Sequence, residues 1–463
     1  MDFRLLVPAL VVWVVTACGL IVPANASIGV AVVAAVTTGV LAGACRAGRL
    51  RWDTVGLVIV AAGLAGACAT SLAIRQEIRA EHPLAHVSGK EAVVMTLRGD
   101  PTPTGPARQG RMRVRVDVEQ IGTRVVPSAA SELRGPTQAW SGLLPGQRVS
   151  AVVRVRPPPE RTLLVASLTA QSPRLVGGPP VHQSAAGAIR QRLHLVAART
   201  LGPDAAGLLP GLVLGDETGL DDDLRDDFRA AGLSHLTAVS GANFAIICGA
   251  ALLLVRSIGF GPRSSAVIGL MVIAGFTMLV RPTPSVVRAA LMGAVGVMAL
   301  FASRRAQSFP ALGAAVIAGL LWWPELALQP GFVLSVAATC AIVLWAPRVR
   351  DRLRRWRIPP GLAEVIAMAV TAQIVTAPIL VLVTGRISVI GVVANLLVAP
   401  VVALISILGT VAALVGAIGP PDGLCAGIAE LLVRALGPEL WWMVWCAHTF
   451  GGVGWASVEV PGF

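Results

Sequence analysis

The 463-residue chain contains no tyrosine and one lysine, Lys90; the other basic residues among its 38 Lys+Arg are all arginine. That bias reads as GC-rich coding, and no chemistry is drawn from it. Cysteine is scarce and scattered. Its seven positions lie in or beside apolar runs, and none forms a Cys-x-x-Cys pair. This excludes a disulfide or zinc framework and leaves the thiols as small buried hydrophobes. Histidine is scarcer: His82, His86, His182, His194, His235 and His448. The only close pair, His82 and His86, is split by Pro83 and has no aspartate neighbour, so no metal site and no cofactor is expected. No Walker motif is present, so any ATPase serving this chain must be a separate protein. Charged residues make up only 14% of the chain against 55% hydrophobic, and the mean hydropathy is +0.74. A soluble protein is excluded.

What the chain has in abundance is apolar runs of membrane-crossing length. They fall at about 5–22, 27–44, 54–74, 233–255, 264–280, 285–302, 308–323, 326–346, 361–384, 388–418 and 424–447. Pro400 marks the run at 388–418 as a candidate pair of short pieces. The first run ends in Ala24-Asn25-Ala26, which resembles a cleavage site, and Val15-Thr16-Ala17-Cys18 loosely resembles a lipoprotein box. A second apolar run follows at once, which favours an uncleaved helix.

Between Arg75 and Thr200 the character changes. This segment carries 18 Lys+Arg against 8 Asp+Glu, most of the chain's formal +13. Its apolar residues alternate in 91–97, 111–121, 147–156 and 162–170, with Gly and Pro clusters between. Period two with β-branched residues means strands. Four or five such strands build a small barrel or sandwich, and an OB-like barrel is among the fits. The expected fold is a polytopic α-helical membrane protein of about eleven spans, several broken, with an inserted β domain. Residues 1–74 are read as N-terminal spans, 75–200 as the basic β domain and 201–463 as a second membrane domain.

The short loops orient it. With the N-terminus in the cytoplasm, the cytoplasmic loops hold Arg4, Arg46, Arg49, Arg51, Arg256, Arg263, Arg304, Arg305 and six arginines between Arg348 and Arg357. The opposite short loops hold only Arg281 and Arg386. The positive-inside rule then places the β domain outside the cytoplasm of a multi-pass plasma-membrane protein.

Polar residues mark a path through the second membrane domain. In "GLLPGLVLGDETGLDDDLRDDFRAAG" (207–232), Gly207, Gly211 and Gly215 permit close backbone packing. Leu220, Leu224 and Phe228 give the following acidic helix one apolar face. Ser234 is a candidate cap for a helix in which His235, Ser240 and Asn243 share an arc of about 140°. Arg288 stands inside an apolar helix, where it needs an anionic partner. Gln329, Gln373 and Asn395 each accompany a proline in a later run, as in the interrupted helices of transport pathways. With Asp216, these residues are the pathway candidates. Glu430 and Arg434, four apart, are expected to pair. In the β domain, Arg111, Arg113 and Arg115 alternate on one strand face, and Arg154 and Arg156 on another. They fit either a polyanion-binding surface or an ordinary solvated face. Trp140 is the only aromatic residue between 75 and 200, so base stacking has little to work with.

The stretches "LVLGDETGLDDDLRDDFRAAGLSHLTAVSGANFAII", "PSVVRAALMG", "QPGFVLSVAATCAIVL", "AQIVTAPI" and "ANLLVAP" together resemble the membrane core of the ComEC family of competence proteins over about 205–450. The resemblance implies a channel that brings one strand of transforming DNA into a bacterium. It implies pathway roles for His235, Ser240, Asn243 and Arg288. The implied partners are single-stranded DNA, the lipid bilayer, a separate DNA receptor, a nuclease and a cytoplasmic ATPase; self-association into a homo-oligomer is compatible with it. Many members continue into a metallo-β-lactamase-like domain, and this sequence contains no His-x-His-x-Asp-His pattern for one. No catalytic residue and no nuclease activity are therefore expected. Two other readings stand beside the channel. One is a transporter of another anionic solute or lipid precursor. The other is an intramembrane enzyme using His235, Ser240 and Asp216, which the poor Ser–His geometry disfavours.

Overall fold

The computed structural model describes residues 4–104, 110–237, 239–301, 308–388, 390–453 and 457–459. Arg304 and Arg305, counted among the cytoplasmic arginines, lie outside them. The chain forms two compact units. One comprises Phe3–Gly187 with Ile317–Leu328; the other comprises Ala188–Val316 and Gln329–Phe463, with the first two residues.

The first unit opens with three apolar helices, α1 (Leu6–Ile21), α2 (Ala24–Arg46) and α3 (Trp52–Glu81). Pro23 separates α1 from α2. Gly19 lets α1 approach α3 closely: a Cβ there would lie 2.5 Å from a Leu72 methyl. The Gln76 amide on α3 donates to the carbonyls of Gly19 and Val22, at 2.8 and 3.3 Å. It thereby satisfies acceptors that the end of α1 would leave orphaned in an apolar surrounding.

After α3 come a 3-10 turn (Pro83–His86) and strands β1 (Gly89–Leu97), β2 (Thr102–Pro103), β3 (Arg111–Ile121) and β4 (Arg124–Pro136). The one-turn α4 (Thr137–Trp140) precedes β5 (Arg148–Arg156), β6 (Ser167–Ala170) and β7 (Arg174–Gly177). The sheet runs β1-β3-β4-β6-β5, and β5 pairs back to β1, closing it. Only β4–β6 is parallel. This is a five-stranded barrel of OB type, with β2 and β7 as additions. Closure removes the free edges. Along β3, Met112, Val114, Val116 and Val118 point in while Arg111, Arg113 and Arg115 point out. Leu133, Trp140, Val153 and Leu168 fill the centre. At Gly135 a Cβ would lie 2.7 Å from both the Ala170 carbonyl and the Trp140 ring nitrogen, so only glycine fits there.

His82 has a structural role. His82 is buried; its Nδ1 accepts from the Leu84 N–H at 3.1 Å, and its Nε2 stands 2.8 Å from the Pro127 carbonyl. The ring caps the 3-10 turn and ties the end of α3 to β4. His82→Ala is expected to cost about 1–2 kcal/mol, read as a lower thermal unfolding midpoint in detergent.

The second unit is helical: α5 (Val181–Thr200), α6 (Pro203–Leu214), α7 (Asp222–Ala230), a 3-10 turn (Ser234–Leu236), α8 (Gly241–Ser257), α9 (Pro262–Val280) and α10 (Pro284–Phe301). There follow α11 (Ser308–Trp322), α12 (Pro330–Arg355), α13 (Pro360–Thr384), α14 (Gly391–Gly416), α15 (Leu424–Ala435) and α16 (Gly437–Gly451). A short strand β8 (Arg386–Ser388) pairs with β9 (Ser457–Glu459). Helix α5 starts in the first unit, and α11 ends in it.

Among the described residues, seven helical segments are long and apolar enough to cross a membrane, and four more apolar helices are shorter. The protein is a multi-pass membrane protein with a small OB-like barrel. Several boundaries differ from the apolar runs. The run at 388–418 is one helix, α14, straight through Pro400. α13 likewise continues through Pro378; neighbouring helices re-satisfy what a membrane proline frees. The run at 424–447 is two helices, α15 and α16, parted at Leu436. Glu430 does not pair with Arg434. It lies 3.7 Å from Arg199 on α5, a tertiary partner in place of the local one.

Candidate substrate pathway

The run at 233–255 is not one helix. Ser234–Leu236 forms a single 3-10 turn, and α8 begins only at Gly241. Ser240, not Ser234, is the N-cap. Its hydroxyl accepts from the Asn243 N–H at 3.1 Å and donates to the Asn243 side-chain oxygen at 3.0 Å. The shared helical arc expected for His235, Ser240 and Asn243 therefore does not exist, because Thr237, Val239 and Ser240 are not helical.

The cap sits beside Arg288 on α10. Its Nε donates to the Ser335 hydroxyl on α12 at 2.7 Å, and Nη1 lies 3.1 Å from the Met292 sulfur. Its Nη2 lies where a side chain on Gly241 would begin, 2.4 Å from an ideal Cβ there. A side chain at position 241 would displace the guanidinium from this place. Arg288 is 8% exposed. The anionic partner expected for it is absent: among the described residues no carboxylate lies within ion-pair distance.

A second group gathers at the Gly232 turn. His235 lies three residues past the Gly232 carbonyl, in the 3-10 turn, and is exposed. The Asn395 amide lies 3.5 Å from the same carbonyl and donates to Gly391 at 2.7 Å. Gln373 donates to the Ser388 carbonyl at 3.3 Å, and the Ser388 hydroxyl donates to the Ala230 carbonyl at 3.1 Å. Ser240, Asn243 and Arg288 thus form one group, and His235, Gln373 and Asn395 another. Gln329 belongs to neither. It precedes α12 as its N-cap residue, with no side-chain cap bond.

Asp216 stands apart as well. Gly215 ends α6 in the left-handed conformation at φ +70, and Asp216 follows in the turn. Arg190 lies 3.0 Å from its carboxylate and His194 3.2 Å. The Thr218 hydroxyl donates to it at 2.6 Å. Burial opposes its ionisation, yet the His194 contact, the Arg190 charge and the Thr218 hydrogen bond outweigh that and hold the carboxyl well below the usual range. Arg190 also donates to the carbonyls of Leu214 and Leu279, at the C-terminal ends of α6 and α9. Asp216 is therefore one member of a charged clamp. Arg190 and His194 escape the sequence reading because neither stands in a motif, and Ser335 because nothing within "QPGFVLSVAATCAIVL" sets a single serine apart.

The barrel arginines divide similarly. Arg111 and Arg113 are exposed on β3, and Arg154 and Arg156 on β5. Arg115 forms an ion pair with Glu325 at 2.8 Å. Arg134, opposite Arg113, is held by Glu132 at 2.7 Å. Lys90 lies directly opposite Arg154, and like charges face to face repel.

Residues 212–463 match the family described as Competence protein. ComE operon protein 3 of Bacillus subtilis (strain 168) is 26% identical over 211 residues, which is 45% of this chain and 26% of that relative. The matched stretch thus spans about a quarter of the relative's length. No solved structure matches. The family match takes in more than half of the chain and every pathway candidate from Asp216 to Asn395; this protein belongs to the ComEC family of competence proteins.

Proposed function

We propose that this chain takes part in DNA uptake as a membrane channel, conducting single-stranded DNA into the cytoplasm during natural transformation. The observation that carries this reading is Arg288, a buried cation without a carboxylate partner among the described residues, set at the start of a helix in the family-matched unit. A cation held away from water needs a counter-charge, and a passing polyanion supplies one. Asp216, His235, Ser240, Asn243, Arg288, Gln329, Gln373 and Asn395 are the polar positions assigned to the pathway. The arginine bias of the short loops supports a cytoplasmic N-terminus and an extracytoplasmic barrel. There the barrel's basic strands would meet the incoming strand, with little base selectivity. A receptor, a nuclease and an ATPase would be supplied by other proteins.

The test is deletion of the gene followed by measurement of labelled-DNA uptake. Uptake should disappear and return with the wild-type chain. Normal uptake in the deletion strain would leave another anionic solute or a lipid precursor as the cargo.

Within the barrel, Arg113→Ala should lower single-stranded DNA binding and flatten its salt dependence by about 0.7 in the log–log slope. Arg115→Ala should change both much less, because Glu325 already occupies that guanidinium. Oligonucleotide titrations of the full chain at several salt concentrations check both.

A further inference from the structure

The start of α8 is electrostatically incomplete. The first turn of a helix leaves amides unbonded. Ser240 takes up one of them, its hydroxyl accepting from Asn243, while its carbonyl accepts the first regular helix bond from Phe244. The amides of Gly241 and Ala242 have no acceptor among the described residues. The Asn243 side chain is 1% exposed and folds back onto this turn through its bond to Ser240. That bond engages its oxygen, and the amide nitrogen is left buried without a hydrogen-bond partner. Arg288 presses its Nη2 against Gly241. Its Nε and Nη1 are taken by Ser335 and Met292, so Nη2 is the part turned toward the helix end.

The two elements repel one another. A helix N-terminus carries about half a positive charge, and a guanidinium sits against it with no carboxylate nearby among the described residues. All the spare groups are donors: two backbone amides, one side-chain amide and one guanidinium nitrogen. That set suits a tetrahedral oxyanion, and it offers nothing to a cation or an apolar group.

We propose that the first turn of α8, Asn243 and Arg288 form a phosphodiester-binding subsite, at which one phosphate of the passing strand is held. The inference rests on the channel reading and adds a stopping point within it. A phosphate there neutralises Arg288 and completes the turn. Release to the next phosphate restores the repulsion, so the subsite grips without trapping.

The test uses the full chain in phosphatidylcholine nanodiscs. The probes are a fluorescent oligothymidylate, an uncharged methylphosphonate oligomer of the same length, and phosphatidylglycerol. Arg288→Gln should weaken oligothymidylate binding roughly ten- to hundredfold at low salt and reduce the salt slope by about 0.7. The uncharged oligomer should bind both proteins alike. Asn243→Asp is the sharper variant. It places a carboxylate at the helix start, so it should raise the thermal midpoint while weakening oligothymidylate binding as Arg288→Gln does. A purely structural role for these residues predicts no change of slope. If Arg288→Gln does not assemble, Asn243→Asp decides alone.

Wild-type affinity and slope in Asn243→Asp would overturn the subsite and leave the channel reading standing. Binding of phosphatidylglycerol that depends on Arg288, without binding of oligothymidylate, would assign the phosphate to lipid and overturn both. A wild-type chain that binds neither probe would also overturn both.

Discussion

Arg190→Met is expected to destabilise the helical unit by about 3–5 kcal/mol, the usual consequence of removing one partner of a buried ion pair. Three things are lost together. Asp216 keeps its buried carboxylate and loses its strongest counter-charge, 3.0 Å away. The carbonyls of Leu214 and Leu279 lose a charged donor at 2.8 and 3.2 Å, and both lie where helices have no amide of their own to offer. The clamp joining α5, the α6–α7 turn and α9 then opens. Arg190→Met with Asp216→Asn should recover part of the loss, because no unpaired charge remains. Thermal unfolding in detergent reads the difference. If the double variant is no more stable than the single one, the penalty does not come from the stranded carboxylate. The acid limb follows from the same geometry. A carboxyl whose folded pKa is depressed contributes stability above its unfolded value, near 3.8, and that contribution is lost as pH falls below it. Asp216→Asn should therefore flatten the fall in unfolding midpoint below about pH 4.

Gly207→Ala and Gly211→Ala are expected to be as damaging, at about 3 kcal/mol or more, the upper end of overpacking costs. A Cβ on Gly207 would lie 2.2 Å from the Gly219 carbonyl oxygen, and one on Gly211 would lie 2.3 Å from that of Thr237. In both cases the obstacle is backbone, which has no rotamer through which to retreat. α6 is buried along its whole second half, so it cannot shift outward without uncovering Leu208, Leu209, Leu212 and Val213. Gly249→Ala, at a position where a Cβ would meet nothing within 4 Å, serves as the control and should be neutral or slightly stabilising. Yield of monodisperse protein and its thermal midpoint check all three. Equal behaviour of Gly207→Ala and Gly249→Ala would contradict the close packing of α6.

The glycine repeat at 207, 211 and 215 was readable because only a tight backbone approach or a left-handed cap asks for it, and the structure uses it for both. The alternation of 111–121 was readable for an equally local reason: each inward apolar residue is followed by an outward charge. β4 was not readable. Its sequence, with Pro127 and a run of small residues, has weak strand character, and pairing with β3 and β6 decides its conformation. Prolines misled in the opposite direction. Pro378 and Pro400 read as interruptions, yet both stand inside continuous helices. The real break, before Gly241, carries no proline and shows only in the Ser240 cap.

For the pathway, the residue types were legible and their grouping was not. Arg288 and Asn243 stood out because polar groups in apolar runs need a reason. Their meeting at Gly241 depends on how α8, α10 and α12 cross, which no local pattern records. Arg190 and Asp216 are 26 residues apart, on a polar helix and a turn, with nothing in the spacing to join them. The apolar runs and the helices do not coincide one to one, for a related reason. Run length measures hydropathy, and α15 and α16 satisfy it only when read through Leu436.

In the proposed channel, the start of α8 faces a water-filled route for a polyanion. Thiol accessibility tests it most directly. The seven native cysteines are replaced, and single cysteines are placed at Ser240, Gln373 and, as a lipid-facing control, Leu253, which is 70% exposed. The reconstituted chain is treated with a membrane-impermeant methanethiosulfonate, with and without oligothymidylate. The account predicts fast labelling at 240 and 373, slowed by the oligonucleotide, and none at 253. Absence of labelling at 240 and 373, or labelling that the oligonucleotide leaves unchanged, would contradict it.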